Sequence, residues 1–128
     1  MRLLLDTQVL LWALMEPGKL PDEVHAQLES ADNDVLFSAA SIWEIAIKSA
    51  LRRVDFQVAA DEIAEAAVES GFTELPVCSG PAALVATLPM HHRDPFDRLL
   101  VAVAISEPAN LYTTDRQLVP YSELVRCI

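Results

Sequence analysis

The sequence predicts an α/β fold: a three-layer α/β/α domain with a central, mostly parallel sheet. Three observations lead there. Short apolar runs of strand length alternate with longer segments of helical length, the pattern that builds a parallel sheet covered on both faces. The first run, Leu3-Leu4-Leu5, shows no polar alternation, as expected of a strand buried on two sides. A chain of 128 residues, 52% apolar and 22% charged, can bury one core but is too short for two domains. No linker, repeat or low-complexity stretch divides residues 1–128, which read as a single domain.

Asp6-Thr7 ends the first strand, and residues 9–15 continue as a helix that Glu16-Pro17-Gly18 breaks. A second helix opens at Leu20-Pro21-Asp22-Glu23, with proline and acids where a first turn favours them. Val35-Leu36-Phe37 reads as the second strand. From residue 39 to about residue 53 a long helix carries Ile42, Trp43, Ile45, Ala46, Ile47 and Leu51 around most of its circumference, so it is expected to be largely buried. Residues 61–70 form an amphipathic helix closed by Gly71. A short strand over 72–77 and a helix over 82–88 follow. Asp94-Pro95-Phe96-Asp97 starts the next helix, which runs through LLVAVAIS to Ser106. Leu111-Tyr112-Thr113 is a strand leading to Asp115, and residues 124–128 supply the last one.

Charge excludes some functions. Nine Lys and Arg against nineteen Asp and Glu give a net charge of -10, so the chain does not grip nucleic acid through bulk positive charge. Contact with a polyanion then needs a local basic patch or metal ions. Lys48, Arg52 and Arg53 form the only basic cluster; it has the position of an RNA path and equally of cations drawn to a helix C-terminus. The apolar start is interrupted by Asp6 and lacks a small-residue cleavage site, so it reads as strand and helix, not as a signal peptide. No apolar run approaches the roughly 18 residues of a membrane span. Cys78 and Cys127 are expected to be free thiols, and the compartment to be the cytoplasm.

Ligands of open parallel sheets bind beyond the carboxyl ends of the strands. Asp6 and Asp115 fall at such ends, Asp97 lies in the first turn of a helix, and Glu44 sits inside the most apolar helix. Each has a local reading too. Asp6 can cap the following helix, Asp115 can close a turn, and Glu44 can pair with Lys48 one turn on. Asp94-Pro95 has the form of an N-cap with proline at the first helical position, which places Asp97 third. Glu44, however, has little polar face to occupy among Ile42, Trp43, Ile45 and Ile47, and a buried Glu needs a partner. Four acids sharing a cleft repel one another unless cations are present. Hard ions such as Mg²⁺ take oxygen ligands of this kind, and a two-metal site can cleave phosphodiesters.

The segments LLLDTQVLLWAL, SIWEIAIK, LPMHHRDPFDRLLVAVA and LYTTD, in this order, resemble the PIN-domain ribonucleases, and more narrowly the VapC-like toxins of toxin–antitoxin pairs. The resemblance runs from Leu3 to Asp115. It implies that Asp6, Glu44, Asp97 and Asp115 are the four catalytic acids and the metal ligands, holding Mg²⁺ or Mn²⁺. It further implies an RNA substrate, a homodimer and a cognate antitoxin protein whose tail blocks the acidic cleft. Asp94, Thr7 and Thr114 stand beside these acids as assisting residues. Relatives often carry His where Gln8 stands, Gly near Arg52 and His near Pro81; none of these replaces a proposed ligand.

Other residues receive simpler readings. His91 and His92 have no His or Cys partner at zinc spacing and are expected in a loop at the rim of the site. Arg93 and Arg98 flank the DPFD turn, as phosphate contacts or as ion pairs. Trp12 and Trp43 are expected in the core or at a subunit contact. A phosphoacceptor receiver domain would need a late lysine, and no lysine follows Lys48; a haloacid-dehalogenase-type phosphatase would need Asp-x-Asp where Asp6-Thr7-Gln8 stands. The remaining alternative is a PIN-fold module that binds RNA or protein without cutting, and a chain lacking some of the acids would favour it.

Overall fold

The computed structural model describes residues 1–51 and 58–128. Its sheet has five strands, all parallel, in the order β3-β2-β1-β4-β5. These are β1 (Arg2–Leu5), β2 (Asp34–Ser38), β3 (Thr73–Leu75), β4 (Asn110–Thr113) and β5 (Val125–Cys127). The helices are α1 (Thr7–Met15), α2 (Asp22–Glu29), α3 (Ala39–Ala50), α4 (Ala60–Glu69), α5 (Ser79–Leu84) and α6 (Pro95–Ser106). The three-layer α/β/α architecture read from the sequence is therefore the observed one.

β1 lies at the centre, pairing Leu4 with Leu36 on one side and with Leu111 on the other. Its three leucines are fully buried because the pleat sends them to opposite layers. Leu3 and Leu5 join Val9, Leu10, Phe37, Ile45 and Ile63 in one core. Leu4 joins Leu36, Leu100, Val101, Val103 and Leu111 in the other. The chain leaves β1 toward β2 and β3, then returns to place β4 on β1's other flank. The switch in direction thus falls between β1 and β4, where such sheets open a crevice at their carboxyl edge.

Several boundaries differ from expectation for local reasons. α3 is described only to Ala50, so Arg52 and Arg53 lie outside the described residues. Its apolar face is also less covered than foreseen: Ala46 and Ala50 are exposed, and Trp43, expected in the core or at a subunit contact, is 61% exposed. α4 ends as predicted, with Gly71 at φ +90°, a left-handed position that glycine occupies without a Cβ penalty. The helix expected over 82–88 begins earlier, at Ser79, and passes into a 3-10 turn over Val85–Thr87. Two further 3-10 turns are present: Pro17–Lys19 occupies the stretch read as a helix break, and Arg116–Tyr121 follows Asp115 where no element is expected. Cys78 and Cys127 are both free and exposed, and none of the described helices is long and apolar enough to cross a membrane.

Candidate active site

A cleft of about 200 Å³ opens at the carboxyl edge between β1 and β4, and all four predicted acids line it: Asp6, Glu44, Asp97 and Asp115. Four separate segments deliver them. Asp6 is fixed where β1 meets α1: its N–H donates to the Tyr112 carbonyl at 2.9 Å, and its Oδ1 accepts from the Val9 N–H at 2.8 Å. The cap and the cleft position therefore coexist in one residue. Glu44 lies on the buried face of α3 and is only 5% exposed. The Thr7 hydroxyl donates to its Oε1 at 2.7 Å, and Lys48 Nζ stands 2.6 Å from its Oε2. The Glu44–Lys48 pair is thus half sunk into the cleft and is not a surface pair, since Glu44 has lost its water.

α6 begins as the sequence foretold. Asp94 Oδ1 accepts from the N–H groups of Phe96 (2.8 Å) and Asp97 (3.2 Å), with Pro95 in the first turn. That cap aims the first turn of α6, and with it Asp97, into the cleft, whose wall includes Asp94 itself. Asp115 follows β4 and caps the 3-10 turn through its Oδ1, which accepts from the Gln117 N–H at 2.9 Å. Thr7, Gln8, Thr114 and Lys48 complete the polar lining.

The PIN domain family profile matches residues 3–123. The chain belongs to the PIN domain family. Solved structures agree on the fold. One is the crystal structure of VapBC2 from Rickettsia felis bound to a DNA fragment from their promoter, with TM-score 0.69, 14% identity, and 100% of this chain and 98% of that chain covered. Another is VapBC-5 from Mycobacterium tuberculosis, described as a member of the VapBC family of toxin–antitoxin systems. It matches with TM-score 0.56 and 19% identity over 99% of this chain and 97% of that one. No curated protein sequence matches.

Burial and neighbouring negative charge raise the proton affinity of Asp97 and Asp6 in this PIN domain. Asp97 is pushed up to about 7, chiefly by burial, then by the charges of Asp94, Asp6 and Glu44. Asp6 is also raised, again chiefly by burial; hydrogen bonds from Thr113, Val9 and Thr114 hold it down in part, and Glu44 adds to the rise. Carboxylates so arranged make a site that takes up positive charge. Their oxygens form a hard donor set, the kind that suits Mg²⁺ or Mn²⁺.

The residue that sequence reasoning undervalued is His92. It lies in the loop before α6 at the edge of the site, as expected, but it also reaches two of the acids: its Nε2 lies 2.6 Å from Asp115 Oδ2 and 3.6 Å from Asp97 Oδ2. Tyr121 holds the loop in place, its Oη accepting from the His92 N–H at 2.9 Å, while the His91 ring meets the Tyr121 ring edge-on at 5.0 Å. Nothing in the local spacing announced this, because His92's carboxylate partner stands 23 residues away. Arg98 departs from its phosphate-contact reading. It is 8% exposed, and its guanidinium donates to the carbonyls of Val85 and Leu88, both at 3.1 Å. Arg93 is exposed.

Proposed function

We propose that this PIN domain is a metal-dependent endoribonuclease that hydrolyses RNA phosphodiesters, and that it is the toxin of a toxin–antitoxin pair. One observation carries the reading: four acids from four segments of the chain meet in one cleft at the switch point of the sheet. Asp6, Glu44, Asp97 and Asp115 would hold the ions, Mg²⁺ or Mn²⁺. Bound there, such ions draw a phosphate into an acidic cleft and make water nucleophilic at neutral pH.

The chain's own residues prepare the site. Thr7 fixes the Glu44 carboxylate, the Asp94 cap aims α6 and Asp97, and Lys48 offers an ammonium group on the cleft wall toward a phosphate. The net charge of -10 makes RNA binding modest and cation-dependent. The toxin assignment and the antitoxin draw support from the VapBC toxin–antitoxin structures that share this fold, while the homodimer rests on the resemblance of the sequence to the VapC-like toxins. An acidic cleft is also suited to receive a basic side chain from an antitoxin tail in place of metal. A cytoplasmic setting and a single domain over residues 1–128 belong to the same reading.

The test is RNA cleavage by purified chain without any antitoxin, with Mg²⁺, with Mn²⁺ and with chelator, beside an Asp6→Asn/Asp97→Asn variant. Circular dichroism checks that the variant folds. Cutting that requires metal and vanishes in the folded variant is expected. No cutting of several structured RNAs under any metal condition would move the assignment to the non-catalytic binding module.

A further inference from the structure

We infer that His92 is a positioning residue of the acidic cleft: a neutral imidazole whose Nε2–H holds Asp115, and not a metal ligand. The purpose of this device rests on the metal-nuclease reading above, whereas its geometry stands without it. The ligand atoms of His92, Asp97 and Asp115 lie within 4.8 Å of one another, which at first sight makes them a metal triad. The other ring nitrogen decides against it.

The backbone N–H of Asp94 points to His92 Nδ1 at 2.9 Å. An amide N–H can only donate, so Nδ1 must present its lone pair and carry no proton. A neutral imidazole with a bare Nδ1 has its proton on Nε2. Nε2 at 2.6 Å from Asp115 Oδ2 is then a donor. The lone pair that a metal would need at Nε2 is absent, and the one at Nδ1 is already engaged by Asp94.

The frame around the ring is stiff. Asp94 precedes Pro95 and is itself bound into the cap of α6, so the direction of its N–H is set by the helix start. Tyr121 fixes the backbone of His92 from the far side. Asp115 in consequence has both oxygens oriented, Oδ1 by the Gln117 N–H and Oδ2 by His92. Each oxygen keeps a second lone pair, so the carboxylate remains able to bind a cation while its plane is fixed. Outer hydrogen bonds of this kind orient metal ligands in general, and their loss costs about 10–100-fold in affinity. His92 thus couples the start of α6, which bears Asp97, to the segment after β4, which bears Asp115.

The first experiment needs no activity. In the ¹⁵N-labelled full chain without metal, long-range ¹H–¹⁵N correlation reads the tautomer of each histidine, and a His92→Gln sample assigns the His92 signals by their disappearance. An Nε2–H tautomer that persists on saturation with Mg²⁺ is expected. A proton on Nδ1, or loss of the Nε2 proton on adding Mg²⁺, would overturn the inference. The second measures Mn²⁺ affinity by electron paramagnetic resonance. His92→Ala is expected to weaken binding by about tenfold or more, and His92→Gln, which keeps a donor near the Nε2 position, to recover most of the loss. Unchanged affinity in His92→Ala, or a His92→Gln no better than it, would refute the positioning role. If the parent chain cuts no RNA, the nuclease reading fails while both of these measurements still decide the role of His92.

Discussion

At Asp97, burial and three neighbouring carboxylates act in one direction, raising its proton affinity from 3.8 to about 7. Between those pH values the folded chain holds a proton that the unfolded chain has released. The contribution of Asp97 to stability therefore falls as pH rises from about 4 to about 7 and is flat above that. The raised affinity of Asp6 has the same sign. Asp97→Asn should accordingly stabilise the chelator-treated chain at pH 8 by about 1–2 kcal/mol, roughly 4–10 °C in melting temperature, and by much less at pH 4. Thermal melts at the two pH values check this; a variant no more stable at pH 8 would show that the charge of Asp97 is not a burden to the fold. The same scale shows why some side chains were legible in the sequence and others not. The four acids could be read because each stands at a strand end, a helix start or an apolar helix face, all local features. His92 and Arg98 could not, because their partners are set by the fold. Arg98 neighbours Asp97 in sequence, but successive helical residues point about 100° apart. Asp97 therefore faces the cleft while Arg98 turns into the protein and ties the carbonyls of Val85 and Leu88.

At the scale of elements, helix boundaries marked by a cap or a glycine were read well at either end. α6 begins at Pro95 under the Asp94 cap and α4 stops at Gly71, because caps and left-handed glycines leave a signature in two or three residues. The 3-10 turns left none: Pro17 reads as a break and residues 116–121 carry no local signal, so only the packing of the flanking elements decides that the chain winds tightly there. The apolar circumference of α3 overstated its burial, since hydropathy alone cannot say which elements arrive to cover a face. Trp43 stays open to solvent, edge-on to Phe96 at 5.3 Å. The α6 cap carries a prediction that joins stability to activity. Asp94→Ala removes the acceptor for two N–H groups and should cost about 0.5–2 kcal/mol, with RNA cleavage falling further than stability because Asp97 shares that turn. Asp94→Ser keeps a capping oxygen and should restore most of the stability. Chemical denaturation alongside single-turnover cleavage separates the two effects. Equal cleavage by Asp94→Ala and the parent would mean that the cap does not align Asp97.

For the whole molecule, the order β3-β2-β1-β4-β5 explains why residues as distant in sequence as Asp6 and Asp115 share a cleft. β1 and β4 are neighbours with their carboxyl ends side by side, and the crossover between the halves leaves that edge uncovered. The fold thereby concentrates negative charge on a molecule already at -10. Such a chain should gain stability from any cation through screening, and more from one that the acids bind. The two effects differ in their dependence. Screening follows ionic strength whatever the ion, whereas binding to the folded state follows the concentration of the ion relative to its dissociation constant. At 100 times that constant the gain is about 2.7 kcal/mol. Melts at pH 7.5 in Mg²⁺ and in NaCl matched for ionic strength should therefore separate, with the Mg²⁺ curve higher by about 5–10 °C. In Asp6→Asn/Asp97→Asn the two curves should fall together, because the variant keeps the screening and loses the site. Coincident curves in the parent chain would mean that the carboxylates bear their mutual repulsion without taking up metal, and would remove the physical ground for a metal-dependent cleft.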